Sequence, residues 1–374
     1  MSIKIGIDAR LPFYQRGGIS QYTLHLLPAL AALDRENSYV VGHMGKDADS
    51  YVPDAPNFRR QDLLTPCHHR LERWALGVEL ALAQGRLTLW HSPDFIPPAF
   101  GVARRVITVH DLNFLHYPAY LTADSLRYYR GQIEWAVNTA DHISADSEHT
   151  RQDLIHLLGV PPEKVTTVHL AVNPVYERVY TAVEINATLA QHNLPRGFIL
   201  AVGTLEPRKN LPTLLQAYQL MRDEAQIDVP LVLVGRKGWL DEPIWAAVAE
   251  LGLAEQVRHL EGVYDEALAH LYAAAGVLAT PSHYEGFGLP ALEAMTCGCP
   301  VVVSDRGSLP EIVGQGGAVL PADNVAAWAN ELTAVLTDSE RRETMVAAGR
   351  RRASAFSWRD TAVATLKIYK QVAG

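Results

Sequence analysis

A rhythm constrains this chain more than any single residue does. Short apolar runs alternate with amphipathic stretches along its 374 residues, and the alternation restarts near Phe198. Apolar runs of strand length read as strands covered on both faces, and the amphipathic stretches read as the covering helices; together they spell βα units around parallel sheets. The first series is IKIGIDA, YVVGHM, LTLWHS, RVITVHD, DHISADS and KVTTVHL; the second is FILAVG, PLVLVG, VRHLEG, GVLATP, PVVVSD and GAVLP. Helices are expected over ISQYTLHLLPALAAL, kinked at Pro28, and over SLRYYRGQIEWAVNTA, LPTLLQAYQLMRDEA, DEALAHLYAAA and the Pro-initiated PALEAMTC. Between the series, Asn173 to Gly197 carries two prolines and no clear strand. The chain also exceeds what one core usually organises. The expected fold class is therefore α/β: two Rossmann-like, doubly wound domains over 1–175 and 198–356, joined by a linker at 176–197, with the carboxyl ends of both sheets facing a ligand cleft.

Composition removes several function classes. No segment offers the roughly 20 uncharged apolar residues of a bilayer span. The start, MSIKIGIDAR, enters a strand directly without the succession of a signal peptide, so a cytoplasmic protein is expected. Cys67, Cys297 and Cys299 are expected as free thiols, since CGC with no nearby Cys or His does not read as zinc. A net charge of -8 argues against nucleic acid. That charge is uneven: residues 1–175 hold 16 Lys and Arg against 18 Asp and Glu, whereas the remainder holds 17 against 23. If either half meets an anionic membrane surface it is the first, through CHHRLERW at Cys67 to Trp74, a stretch that reads more readily as an ordinary solvated helix face.

Four motifs can carry chemistry. In HYEGFGLPALEA, Glu285 opens the loop after the strand GVLATP, and Gly286 and Gly288 let the backbone turn tightly. Pro290 suits a first helical turn, so the amides of Gly286, Phe287, Gly288 and Leu289 are expected at a helix start that can receive phosphate. Glu293, eight residues after Glu285, sits near the positive end of that helix; the helix itself or a ligand accounts for it. In GTLEPRKN, Arg208 and Lys209 follow a strand and supply a fork and a point charge suited to a diphosphate, or else a solvated basic turn. RGGIS, Arg16 to Ser20, brings Gly17 and Gly18 but lacks the spacing of a dinucleotide fingerprint. VHD ends a strand with His110, and WHSPD contains His91; a lone histidine in such a place is more often hydrogen-bonded structure than a catalytic group. No Asp-x-Asp follows an apolar strand to hold a divalent metal.

Together these motifs resemble those of retaining glycosyltransferases of the GT-B fold, family 4. EGFGLPALE is similar to that family's E-x7-E signature, GTLEPRKN to its basic diphosphate loop, GGIS to its first glycine-rich loop and VHD to its active-site histidine segment. The resemblance runs the length of the chain in the expected order. It implies that Glu285 binds donor-sugar hydroxyls, the amides of Phe287, Gly288 and Leu289 receive the distal phosphate, and Glu293 binds ribose hydroxyls. It also implies that Arg208 and Lys209 neutralise the diphosphate, His110 contacts the sugar, Gly18 admits the diphosphate and the backbone near Val263 faces the base. The last helix, within 357–374, is expected to return to the first domain. The chain departs from the family at Thr204, where many members carry Arg after the loop glycine, which throws more weight on Arg208 and Lys209. The implied activity is transfer of a hexose from a nucleotide-diphosphate sugar to a glycan or lipid-linked acceptor in cell-surface polysaccharide assembly, with retention and with no obligatory metal or other cofactor. GDP-mannose is the first-choice donor; a UDP-sugar transferase and a catalytically retired binding module are the alternatives.

Overall fold

The computed structural model describes residues 2–374 except Gln15, Arg16, Gln84, Leu121, Trp239 and Tyr264; Arg16 of the RGGIS motif and Tyr264 beside Val263 therefore lie outside the described residues. The chain forms two compact units, Met1–Leu170 with Ser357–Gly374, and Ala171–Phe356.

The first unit holds β1 (Lys4–Asp8), α1 (Gly18–Leu33), β2 (Ser38–Met44), β3 (Phe58–Leu63), α2 (Glu72–Leu82), β4 (Leu87–Ser92), β5 (Val102–Val109), α3 (Asn113–His116), α4 (Ala123–Thr139), β6 (His142–Ala145), α5 (Glu148–Leu158) and β7 (Val165–Thr167). All strands pair in parallel in the order β3-β2-β1-β4-β5-β6-β7. The sequence pattern anticipates six of the seven. The seventh, β3, reads FRRQDL because it is an edge strand whose middle is exposed or only half-buried, so it carries no continuous apolar run. Helix α1 runs on through Pro28, whose ring is exposed.

The second unit holds α6 (Ala182–Gln191), β8 (Ile199–Val202), α7 (Leu211–Ala225), β9 (Leu231–Val234), α8 (Glu242–Glu250), β10 (Val257–Leu260), α9 (Asp265–Ala274), β11 (Val277–Thr280), α10 (Leu289–Cys297), β12 (Val301–Ser304), α11 (Leu309–Val313), β13 (Ala318–Leu320), α12 (Val325–Thr337) and α13 (Ser339–Ala353). Its parallel sheet runs β10-β9-β8-β11-β12-β13. Strand order reverses between β8 and β11 here and between β1 and β4 in the first unit, the switch points where open α/β sheets bind ligands.

The stretch expected as a linker is instead part of the second unit. Its helix α6 starts in a capping box formed by Thr181 and Glu184 and packs on α9, where Thr188 Oγ1 lies 2.7 Å from His270 Nδ1. A search for strands overlooks it because what it buries is a helix face. The last helix, α14 (Trp358–Ala373), belongs to the first unit, packing on α1 with Tyr369 Oη 2.6 Å from Nδ1 of the buried His91. His91 Nε2 meets Thr108 Oγ1 at 2.8 Å, and burial, then the charge of His110, pushes its pKa down to about 3. His91 is thus a neutral structural tie. Cys67, Cys297 and Cys299 are free thiols.

Candidate functional site

At the β8–β11 switch point two loops interlock. After β8 the chain turns at Gly203, makes a 3-10 turn over Pro207–Lys209 and enters α7 through Asn210, whose φ of 50° is left-handed. After β11 it passes through Ser282, Tyr284 and Glu285 to Gly288, the N-cap of α10, at φ 95°. His283 N donates to Arg208 O at 2.7 Å, and Asn210 Nδ2 donates to Pro281 O at 3.2 Å and Ala322 O at 3.0 Å, so each loop holds the other.

This interlock brings Glu285, Arg208 and Lys209 together. Lys209 Nζ donates to Glu285 Oε1 at 2.6 Å, Arg208 Nη1 to Glu285 Oε2 at 3.0 Å, and Ser282 Oγ to Oε1 at 2.7 Å. Arg208 also pairs with Glu206 at 2.6 Å. Burial alone would raise the Glu285 carboxyl; Lys209 and Arg208 outweigh it and hold the group at about 2. Burial likewise depresses Lys209, against the pull of Glu285. The expected division of labour, cations for phosphate and carboxylate for sugar, therefore needs amendment. In a site that buries both ions, each is first the other's partner, because an unpaired charge there would be costly.

Gly203 is required by this packing. Its φ is 137°, and a Cβ built there would lie 2.9 Å from Lys209 Cε and Nζ, so the glycine clears the path of the lysine side chain. Thr204, which follows it, has a neighbour that reading along the chain could not supply: Arg236, exposed at the end of β9, places Nε 3.5 Å from Thr204 Oγ1. The loop opening α10 is clamped from the next crossover, where Ser308 N and Oγ both donate to Glu285 O at 3.0 Å.

The helix start expected of Gly286 to Leu289 is present. Leu289 opens α10 with Pro290 next, and the following amides, Ala291 N and Leu292 N, donate to the N-cap carbonyl Gly288 O at 3.0 and 3.3 Å, while the Phe287 side chain is buried against Phe356. Glu293, in the second turn, accepts from Tyr272 Oη at 2.9 Å, and burial pushes it up to about 7, so near neutral pH it can either accept or donate. Val263 is buried between β10 and α9.

In the first unit, Gly18 opens α1; no described residue lies within 4 Å of a Cβ built there, so packing within the described chain does not demand the glycine. His110 sits on the opposite side of the switch point, at the end of β5. Its Nδ1 lies 2.5 Å from Asp146 Oδ2 and its Nε2 2.8 Å from Pro93 O. Pro93 O can only accept, and so can Asp146 when ionised, although burial raises that carboxyl; the arrangement favours a proton on each nitrogen, the imidazolium form. Burial opposes that charge, but Asp146 prevails and raises the pKa to about 9. Its nitrogens are thus engaged within the fold, and the Tyr22 ring packs edge-on at 5.2 Å. As for metals, the described residues contain one grouping of ligand type, His116, His149 and Asp153, in the first unit.

Comparisons with known proteins agree with this architecture. The family model described as Glycosyltransferase Family 4 matches residues 16–176, and that described as Glycosyl transferases group 1 matches residues 187–352. O-antigen chain mannosyltransferase B of Escherichia coli is 35% identical over 96% of this chain and 97% of its own length. The MMP alpha-(1->4)-mannosyltransferase of Mycolicibacterium hassiacum is 35% identical over 60% of this chain and 53% of its own. Among solved structures, sucrose-phosphate synthase from Thermosynechococcus elongatus superposes with a TM-score of 0.77 at 24% identity, covering 99% of this chain and 98% of that one. Anabaena HepE in complex with UDP and glucose gives 0.77 at 18%, covering 99% and 100%. At such identities the structural likeness speaks for the fold, which is GT-B.

Proposed function

The chain belongs to the family 4 glycosyltransferases, and on that premise we propose that it moves mannose from GDP-mannose to a hydroxyl of a glycan or lipid-linked acceptor in cell-surface polysaccharide assembly. The observation that carries the choice of sugar is the near full-length relationship to a mannosyltransferase of O-antigen chains. The chemistry rests on the Lys209–Glu285–Arg208 cluster beside the α10 N-terminus. As the bond from the anomeric carbon to the phosphate oxygen breaks, the sugar becomes oxocarbenium-like and charge gathers on the departing diphosphate, so stabilising that charge is the main task. Arg208, Lys209 and the helix start are assigned to it, with Arg236 as a third cation beside Thr204. The acceptor oxygen bonds the anomeric carbon on the face the diphosphate leaves, its proton passing to the leaving phosphate oxygen, and configuration is retained. Glu285 meets sugar hydroxyls while bound to Lys209, Glu293 meets the ribose, and His110 offers its ring rather than a free nitrogen. Three cations near the diphosphate make a divalent metal dispensable.

A thermal-shift panel of GDP, UDP, ADP and their sugars tests this reading. GDP and GDP-mannose at about 100 times Kd should stabilise the protein by roughly 2.7 kcal/mol. A response confined to UDP or its sugars moves the donor to that class, and silence toward every nucleotide sinks the transferase reading. Turnover of the responding sugar should survive EDTA, and anomeric analysis of the product should show retention.

The acceptor side includes a membrane contact in the proposal. Helix α2 turns its carboxylates inward, with Glu72 on Arg10 at 2.8 Å and Glu79 accepting from Leu64 N at 2.7 Å and Thr65 N at 2.8 Å. Its outward stripe is Leu71, Trp74, Val78 and Leu82, all exposed, bordered by His69, Arg70 and Arg73. No helix is long and apolar enough to cross a membrane, so the contact would be interfacial. The protein is expected to co-sediment with phosphatidylglycerol-containing vesicles but not with phosphatidylcholine alone, and the exposed substitution Leu82→Glu should weaken that binding about tenfold. Absence of the wild-type protein from the anionic vesicle pellet would remove the contact.

A further inference from the structure

The first unit contains a small cavity of about 20 Å³ at the carboxyl ends of β1 and β4, lined by polar side chains that include Asp8, Glu72, Ser92 and Asp94 and by apolar ones that include Ile19 and Ile96. Three of these residues are carboxylates. Arg10, fully buried, pairs with Asp8 at 2.6 Å and with Glu72 at 2.8 Å, and His68 pairs with Asp94 at 2.7 Å. With His68 charged, the carboxylates outnumber the cations by one when Glu72 is ionised and match them when it is protonated. Such a pocket disfavours phosphate and suits a group that donates hydrogen bonds. Burial, followed by the pull of Arg10 in the opposite direction and the push of Asp8, leaves the Glu72 carboxyl raised to about 7.

The independent observation is Ser92. It is 1% exposed, it lines this cavity, and its Oγ is buried with no hydrogen-bond partner. Buried hydroxyls are almost always satisfied, so an orphan one on a residue that lines a cavity with carboxylates marks a place for a partner. The volume admits one water-sized group. Pro93, whose carbonyl accepts from His110, lines the same cavity, which links it to the histidine segment.

We propose that this cavity receives one hydroxyl of a neutral pyranose acceptor, Ser92 donating to its oxygen and a carboxylate of Asp94 or Asp8 accepting its proton in a hydrogen bond. The inference rests on the transferase reading and assigns the acceptor's chemical class: a sugar hydroxyl, as opposed to a phosphate.

The test uses the full chain without nucleotide, so its outcome is independent of the donor panel. Binding of methyl α-D-mannopyranoside, methyl α-D-glucopyranoside and methyl N-acetyl-β-D-glucosaminide is followed by saturation-transfer NMR for the wild type, Ser92→Ala and Asp94→Asn. At least one glycoside should bind, and its affinity should fall about tenfold in Ser92→Ala, the loss expected for one hydrogen bond to a buried group. The monodeoxy analogue lacking the recognised hydroxyl should bind wild type and Ser92→Ala alike. Because Ser92→Ala deletes a hydroxyl without a partner, its thermal midpoint should not drop, so it reports binding even where Asp94→Asn fails to fold. Binding of no glycoside, or equal binding by wild type and Ser92→Ala, overturns the proposal and leaves the cavity to water.

Discussion

Lys209→Ala is expected to lower sugar transfer by about 10²–10³-fold in kcat, the usual cost of removing one group that stabilises leaving-group charge. It should also destabilise the second unit, because Glu285 would keep only Arg208 and Ser282 as partners in a buried place. The two effects can be separated. Combining Lys209→Ala with Glu285→Gln removes both charges, so stability should largely return while turnover does not. Turnover in Lys209→Ala within twofold of wild type would remove the lysine from the chemistry. Glu285 adds a pH signature. Its folded pKa of about 2 lies below the ordinary carboxylate value, so its contribution is in place above about 4.5 and is lost as pH falls toward 2. Acid denaturation of the Glu285→Gln protein should lack that component.

Asp146→Asn is the second change with a large expected effect. It strips the His110 imidazolium of its charged partner, and breaking a buried pair from one side costs roughly 3–5 kcal/mol. Here the sign runs opposite to that of Glu285. The folded His110 pKa, about 9, lies above the ordinary histidine value of about 6.5. The stability contributed by the raised His110 pKa is therefore fully present below pH 6.5, as long as Asp146 stays ionised, and disappears as pH rises through 9. Urea unfolding of the wild type between pH 6 and 10 should show that alkaline loss, and Asp146→Asn should start lower and lie flatter. If the variant kept the wild-type alkaline slope, the assignment of two protons to His110 would be wrong.

The four motifs were legible because each is local. The GFGLP turn, the adjacent Arg208 and Lys209, and a histidine ending an apolar strand are stretches whose backbone role follows from their own residues. Their partners were not legible. Glu285 and Lys209 stand 76 positions apart, His110 and Asp146 stand 36 apart, and Arg236 reaches Thr204 only because β9 neighbours β8. The overlooked elements follow the same logic: β3 at a sheet edge and α6 in the supposed linker lack the continuous apolar run by which a doubly covered strand announces itself.

The sequence by itself determined two parallel-sheet units and the loops at their switch points, because apolar periodicity and glycine or proline placement act over a few residues. Only the tertiary structure decided which charges meet. Burial makes every unpaired ion costly, so once the sheets bring the β8 and β11 loops side by side, Glu285 and Lys209 must satisfy each other before either meets a substrate.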